Sequence, residues 1–296
     1  MNILIYGGSG FIGSHLSEYL SQQNHVISIY TRNLHNITKS DYVSYYINSL
    51  SKNDYYDIII NLAGEPVNKK RWNEKSKKII YQSRIDSTRN IIDFISNSKI
   101  KPKLFINASA IGFYGHSEDK IFTEDSSPED FDFAHQICAD TEKLSKETEK
   151  FNVRTCQIRI GIVLGLGGGI LKEIAPIFKL GLGASLGTGK QIMSWIHIND
   201  LVGSIEHIIK NEKLHGPINL TSPNPVSNKV FSKNLAASLN RPCFLSIPSF
   251  VVRILFGQMA DSLLLKGQNV YPKKLKDSLY NFQYADLKKA LDGLLN

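Results

Sequence analysis

Three stretches of this chain have residue types and spacings that could do chemistry. The first is YGGSGFIG, which sets Gly7, Gly10 and Gly13 three apart. Glycines so spaced let a chain turn sharply and let backbone approach a pyrophosphate. A helix opening near Phe11 would add free N–H groups and the positive end of its dipole. The second is Tyr30-Thr31-Arg32-Asn33, at the end of the next apolar run. An acid there would hold ribose hydroxyls and repel a 2′-phosphate. From Tyr30 onward no acid occurs before Asp41. Arg32 offers a 2′-phosphate charge-assisted hydrogen bonds of about 1.5–3 kcal/mol each. The expected cofactor is therefore NADP(H). The third stretch is FAHQICADTEKL, residues 133–144, with His135, Cys138, Asp140 and Glu142. On a helix His135 and Cys138 share a face. Zinc takes four ligands, and no others follow at a recognisable spacing, so no metal is expected.

These residues need a scaffold, and the apolar pattern supplies one. NILIY (2–6), HVISIY (25–30), YVSYYI (42–47), DIIINLAG (57–64) and KLFINASA (103–110) read as strands, as does VRTCQIRIGIVLG (153–165) in one piece. Between them Ile12, Leu16 and Leu20 mark one helix, and a long helical segment covers about 72–98. FAHQICADTEKL is the next helix. Such alternation predicts an α/β fold: a parallel sheet covered on both faces. After Gly165 the rhythm changes. Residues 165–190 are glycine-rich and partly helical, 199–210 is an amphipathic helix with Asn199 or Asp200 as its cap, and 216–223 holds a short strand. The expected organisation is a nucleotide-binding domain over 1–164, to which 199–221 returns. A smaller, mostly helical C-terminal substrate-side domain comprises 165–198 and 222–296.

Composition narrows the classes. The three cysteines are far apart, with no CxxC, so neither a disulfide framework nor a zinc knuckle is indicated. A reducing cytoplasm is the expected location. MNILIYGG has no basic n-region of a signal peptide. No run approaches the ~20 apolar residues of a membrane span, so no membrane partner is expected. The net charge of +8 comes in short bursts, KKR at 69–71, KSKK at 75–78 and PKKLK at 272–276, with Glu74 and Asp277 beside them. Without a stacking-aromatic motif they predict a solvated basic surface, not a nucleic-acid site. The partner expected is a small-molecule substrate, for a monomer or homodimer.

YGGSGFIG, NLAGEP (61–66), RWNEKSKKIIYQSR (71–84), ASAIGFYG (108–115), RIGIVLGLGGGIL (159–171), SWIHINDLV (194–202) and the tail from RPCFLSIP through GQNVYPKKL together resemble one family. It is the extended short-chain dehydrogenase/reductase-like NAD-dependent epimerase/dehydratase family. Within it, the resemblance is to the YfcH-like, nucleoside-diphosphate-sugar epimerase-like group with a C-terminal domain of unknown function. The resemblance is collinear over nearly the whole chain. It implies a Rossmann-type doubly wound parallel sheet with a smaller substrate-side domain, and cofactor contacts at Gly7, Gly10, Phe11, Ile12 and Gly13, at Thr31 and Arg32, and at Leu62, Ala63 and Gly64 on a strand end. Arg84 matches a basic position near the cofactor, with a surface salt bridge as its alternative. Tyr6 departs from the family, which usually has threonine there.

In active relatives a serine or threonine follows the fifth strand and a Tyr-x-x-x-Lys pair lies on the next helix. Ser109 matches the serine. Registered through Glu142, the tyrosine position holds Ala134 and the lysine position Cys138. Ala134 has no proton to give, and a neutral thiol cannot reproduce the lysine's charge. A formal Tyr-x-x-x-Lys at Tyr284–Lys288 lies in the tail and is expected by chance. Tyr114, close after Ser109, is the candidate replacement, with His135 beside the vacant position. His197 reads as structural, and Arg71, Trp72, Arg159 and Trp195 as packing or pocket-lining residues. Two readings stay open. One is an NADP(H)-dependent oxidoreductase or epimerase-like enzyme acting on a small polar substrate, nucleotide sugars included. The other is a non-catalytic NADP(H)-binding redox sensor or regulator. A nucleic-acid binder has only net charge in its favour.

Overall fold

The computed structural model describes residues 1–34, 39–68, 71–117 and 119–295. Of the basic burst at 69–71, Lys69 and Lys70 lie outside the described residues.

Seven strands form one sheet: β1 (Asn2–Tyr6), β2 (Val26–Tyr30), β3 (Tyr45–Ile47), β4 (Ile58–Asn61), β5 (Leu104–Ala110), β7 (Arg154–Ile160) and β12 (Gly216–Leu220). Their order is β12-β7-β5-β4-β1-β2-β3, and every pairing is parallel. The strands are apolar on both sides, as burial between two helical layers requires. Ile3, Ile5, Ile27, Ile29, Ile58 and Ile60 face Leu16 and Leu20 of α1 (Phe11–Gln22) and Leu201 and Ile205 of α5 (Ile198–Lys210). The alternate residues Leu4, Tyr6, Ile59 and Phe105 face Ile91, Phe94 and Ile95 of α2 (Glu74–Asn97). Helix α3 (Phe133–Ser145) packs beside α2.

A second apolar cluster gathers Leu171 and Phe178 of α4 (Gly169–Lys179), Phe231 and Leu235 of α6 (Asn228–Ser238), and Leu287 and Leu291 of α9 (Leu287–Leu295). Short parallel pairs tie the remaining chain down. They are β6 (Ile121–Phe122) with β15 (Asn269–Val270), β8 (Ile162–Leu164) with β11 (Trp195–His197), and β9 (Ala184–Leu186) with β14 (Leu245–Ile247). An antiparallel pair joins β10 (Ile192–Met193) and β13 (Val226–Ser227). Helices α7 (Ser249–Phe256) and α8 (Lys273–Asp277) complete the chain order.

Three local expectations are corrected. The run 153–165 is two strands, because Gly161 passes close to another chain: a Cβ there would stand 2.6 Å from the Ser194 carbonyl oxygen. The chain bends at Gly161, leaving the main sheet to pair with β11. The strand expected over 42–47 begins only at Tyr45, after a turn. The cap of α5 is His197, whose Nδ1 accepts the Asn199 N–H at 3.0 Å. Asp200 lies inside the helix, wholly buried, and accepts the Gln283 and Tyr284 N–H groups, each at 2.8 Å. It anchors the tail to the sheet layer.

Candidate functional site

The glycine turn lies where β1 ends. Gly7 has φ +74°, a region L side chains avoid, and a Cβ on it would lie 2.8 Å from the Leu62 carbonyl carbon. A Cβ on Gly13 would fall 2.3 Å from the Gly7 oxygen. Only glycine lets the first turn of α1, the β1 end and the β4 end come this close. Gly10 is exposed, its N–H closes the turn onto the Gly7 carbonyl at 3.0 Å, and no side chain stands over it. The cradle therefore fits a pyrophosphate on the first turn of α1. Ile12, half-buried, packs against the α1-side core. The half-buried Phe11 ring lies under the glycine-rich loop after β8; a Cβ on Gly168 would meet its Cγ at 2.3 Å. That contact explains Gly165, Gly168 and Gly169, which bring this loop against the phosphate turn.

Leu62 and Ala63, half-buried, continue β4 beside the turn; the Leu62 N–H donates to the Tyr6 carbonyl at 2.9 Å. Beneath them a buried amide network holds the strand ends. Asn61 donates to Asn107 at 2.8 Å and to Thr88 of α2 at 3.2 Å, and its Oδ1 accepts the Ala63 N–H at 3.2 Å. Gly64 is exposed and lies against the Arg84 guanidinium, where a Cβ would come within 2.8 Å of Cζ. Arg84 donates to the Glu65 and Ile80 carbonyls at 3.0 and 2.9 Å, so it clamps this loop onto α2. Tyr6 is buried, stacked 4.3 Å from Tyr30, and donates to Asn90 at 2.5 Å. Its departure from the family pattern is a packing change. Thr31 is fixed by its N–H to the Ile47 carbonyl at 2.8 Å. Arg32 is exposed beyond it and pairs with no carboxylate among the described residues.

Ser109, half-buried at the end of β5, donates its hydroxyl to Glu142 Oε1 at 2.7 Å. Glu142 is buried and held at both oxygens by Arg159, at 2.9 and 2.8 Å. Arg159 also donates to the Tyr114 hydroxyl at 2.9 Å, and that hydroxyl donates to Asn219 at 2.7 Å. Tyr114 has no exposed surface and stacks on Phe122. Burial pushes its pKa up to about 12, against the pull of Arg159. The expectation that Tyr114 enters the cleft beside Ser109 is therefore corrected. It is a link in a buried network that ties β5, β7 and β12 together.

At Ala134, where the resemblance would put the tyrosine, the methyl packs 3.3 Å from where a Gly112 Cβ would be. At Cys138, where the resemblance would put the lysine, the thiol is buried, and burial, helped by Glu142, pushes it up to about 11. It is neutral at pH 7. His135 turns away, with Nδ1–H donating to the Phe113 carbonyl at 2.6 Å and its ring between Phe113 and Phe131. The formal pair in the tail is structural. Tyr284 stacks 3.8 Å from His197, and Lys288 pairs with Asp292. Trp195 is fully buried.

A recess of about 270 Å³ adjoins the start of α3. Trp72 meets Phe133 edge-on at 5.1 Å, Lys77 Nζ lies 5.5 Å over the Phe133 ring, and Asp132 and Ser262 also line it. Burial would raise the Asp132 pKa, but the neighbouring His116 and Ser262 side chains and the hydrogen bond from the His135 N–H outweigh it and hold the carboxyl at about 2. A larger polar groove of about 520 Å³ runs between α1, α5 and residues 280–283. None of the expected cofactor residues lines it. Sequence reasoning did not find the Glu142–Arg159 pair as a unit. Its signal was an acid on the inward side of α3 and an arginine inside a buried strand.

A glycine turn between β1 and α1, at the strand ends of a doubly wound parallel sheet, defines a Rossmann-type α/β protein. The chain matches the NAD dependent epimerase/dehydratase family over residues 3–220 and a domain of unknown function, DUF1731, over 247–294. It belongs to the NAD dependent epimerase/dehydratase family. It is 39% identical to the epimerase family protein YfhF of Bacillus subtilis, covering 100% of this chain and 98% of that one. It is 36% identical to the chloroplastic SDR39U1 homolog of Arabidopsis thaliana, over 100% and 87%. In structure it is similar to human epimerase family protein SDR39U1 (isoform 2), solved with NADPH, with a TM-score of 0.90 and 30% identity over 100% and 99% of the two chains.

Proposed function

We propose that this protein binds NADP(H) in the glycine cradle and carries out hydride transfer with a small polar substrate. The observation that carries the reading is Arg32, exposed at the end of β2, with no carboxylate partner among the described residues and no acid on the strand end. A 2′-phosphate would meet a free guanidinium there. The NADPH in the human relative's structure supports the same cofactor. Gly7, Gly10, Phe11, Ile12 and Gly13 would hold the pyrophosphate, and Thr31 and Arg32 the adenosine phosphate. Leu62, Ala63 and Gly64 would lie along the cofactor, with Arg84 fixing their loop.

When bound, the reduced nicotinamide supplies the hydride. Ser109 orients the substrate. Its proton is directed to Glu142, so it presents lone pairs and accepts a hydrogen bond. The recess lined by Trp72, Lys77 and Asp132, about 270 Å³, has room and polar groups for a small polar molecule.

Ala134, Cys138 and the buried Tyr114 favour a second reading, a non-catalytic NADP(H) sensor. The usual acid/base is absent and its candidate replacement has no surface. Fluorescence titration with NADPH and NADH tests the cofactor assignment. NADPH should bind more tightly, and Arg32→Asp should weaken it about tenfold or more while sparing NADH. Equal NADPH affinity in the variant would overturn it. NADPH oxidation across aldehydes, ketones and sugar nucleotides decides between enzyme and sensor.

A further inference from the structure

Helix α7, SFVVRILF, is apolar on both sides. Val252 is buried and anchors its inner side, yet Phe250, Ile254 and Leu255 are each more than half exposed. A surface helix normally turns polar residues outward. The chain on either side repeats the pattern. Phe244 is 92% exposed, Leu245 is exposed, and across the β9–β14 pairing lie exposed Ile177, Leu180 and Leu182. The pieces belong to one surface. Ala184 pairs with Leu245 in register, the Leu182 N–H reaches the Ile177 carbonyl at 3.2 Å, and the Ser246 hydroxyl reaches the Gly187 carbonyl at 2.9 Å. Helix α7 follows β14 directly. Exposed apolar side chains gathered in this way mark an interaction surface.

The charge around this surface says what covers it. Residues 177–190 and 241–258 contain Lys179, Lys190, Arg241 and Arg253, and no acid. Arg253 is neutralised by Asp261 at 3.0 Å. Lys179, Lys190 and Arg241 are exposed and have no carboxylate partner among the described residues. Arg241 donates to the Lys179 carbonyl at 2.7 Å, so its guanidinium lies against the C-terminal end of α4. A second copy docked by two-fold symmetry would set this basic rim against itself. An anionic bilayer satisfies both halves: the apolar side chains enter the headgroup–acyl boundary and the basic rim meets lipid phosphates.

We infer that the face formed by α7, the 241–247 segment and the C-terminal end of α4 docks on an anionic phospholipid surface. The contact is peripheral, because among the described residues no helix is long and apolar enough to cross a membrane. Arg71 ties the end of α7 to the start of α2, through Nη2 to the Ile254 carbonyl at 3.0 Å. The docking face is thereby held in a fixed position relative to the Trp72 recess.

Sedimentation of the full chain with vesicles tests this. It should pellet with phosphatidylcholine vesicles containing phosphatidylglycerol, weakly with phosphatidylcholine alone, and less as salt rises. Lys179→Glu/Arg241→Glu should weaken binding about fivefold or more per site. Phe250→Glu/Ile254→Glu should weaken it at least about tenfold. These side chains are exposed, so both variants should keep the parent's circular dichroism and NADPH titration. Failure to pellet with anionic vesicles, or equal pelleting with zwitterionic ones, would overturn the inference. So would a lipid-free dimer that Phe250→Glu/Ile254→Glu converts to monomer, which would give the face to a second copy.

Discussion

Arg159 grips Glu142 at both carboxylate oxygens, at 2.9 and 2.8 Å, with both side chains almost fully buried. The pair directs the Ser109 proton inward and joins β7 to α3. Arg159→Met should leave Glu142 buried without its counter-charge and cost about 3–5 kcal/mol. Adding Glu142→Gln should recover part of that loss, since the orphaned charge is then gone. Urea unfolding of the parent, the single variant and the double variant measures both effects. A single variant within about 1 kcal/mol of the parent, the size of an exposed pair's contribution, would show the pair to be energetically idle.

Gly13→Ala should abolish NADPH binding and lower stability. The added methyl would stand 2.3 Å from the Gly7 oxygen and 2.6 Å from the Gly8 Cα, both backbone atoms that cannot move aside. Relief requires α1 to separate from β1, which spoils the turn. Gly10→Ala should be milder for folding, because its nearest contact is 3.2 Å, and should act mainly on the cofactor. Thermal unfolding with and without NADPH separates the two variants. Equal loss of folding stability in both would contradict the cradle geometry.

The sheet was legible because burial on both faces writes itself as continuous apolar runs, as in NILIY and DIIIN. The glycine turn was legible because its spacing and its place between strand and helix carry one physical meaning. Two features were hidden. The break at Gly161 depends on the Ser194 backbone, 33 residues away, and no local pattern encodes that approach. The fate of Tyr114 depends on Arg159 and Asn219, which the sheet brings together from separate strands. A tyrosine close after Ser109 looks available until those strands are paired. His197 as the α5 cap was missed for a simpler reason: asparagine and aspartate are the usual acceptors, and both follow it within three residues.

Thiol labelling checks the burial of Cys138. Burial first, then Glu142, puts the Cys138 thiol at about 11, and burial puts Cys156 there too. Cys243 is only half-buried. A disulfide reagent near pH 8 should therefore label about one thiol per native chain, and all three in denaturant. Peptide mapping should place the fast label on Cys243. Fast labelling of Cys138 would mean that it is open to solvent and ionisable.

His197 should make the fold acid-sensitive. It is 3% exposed, and burial first, with His15 second, lowers its pKa from 6.5 to about 4. Between those values the unfolded chain binds a proton that the folded chain does not, so stability rises with pH in that window. The contribution is complete above pH ~6.5, shrinks as pH falls and levels off below ~4, with a total change of about 3 kcal/mol. Asp200, raised by burial, acts with the opposite sign, so the decisive measurement is a comparison with a variant. His197→Asn keeps an oxygen to cap the Asn199 N–H. It loses the stack on Tyr284, which should cost about 0.5–1.5 kcal/mol at neutral pH. Urea unfolding at intervals from pH 7 to pH 4 should then show the parent losing about 3 kcal/mol more than the variant. If the two curves fall in parallel, the titrating group lies elsewhere.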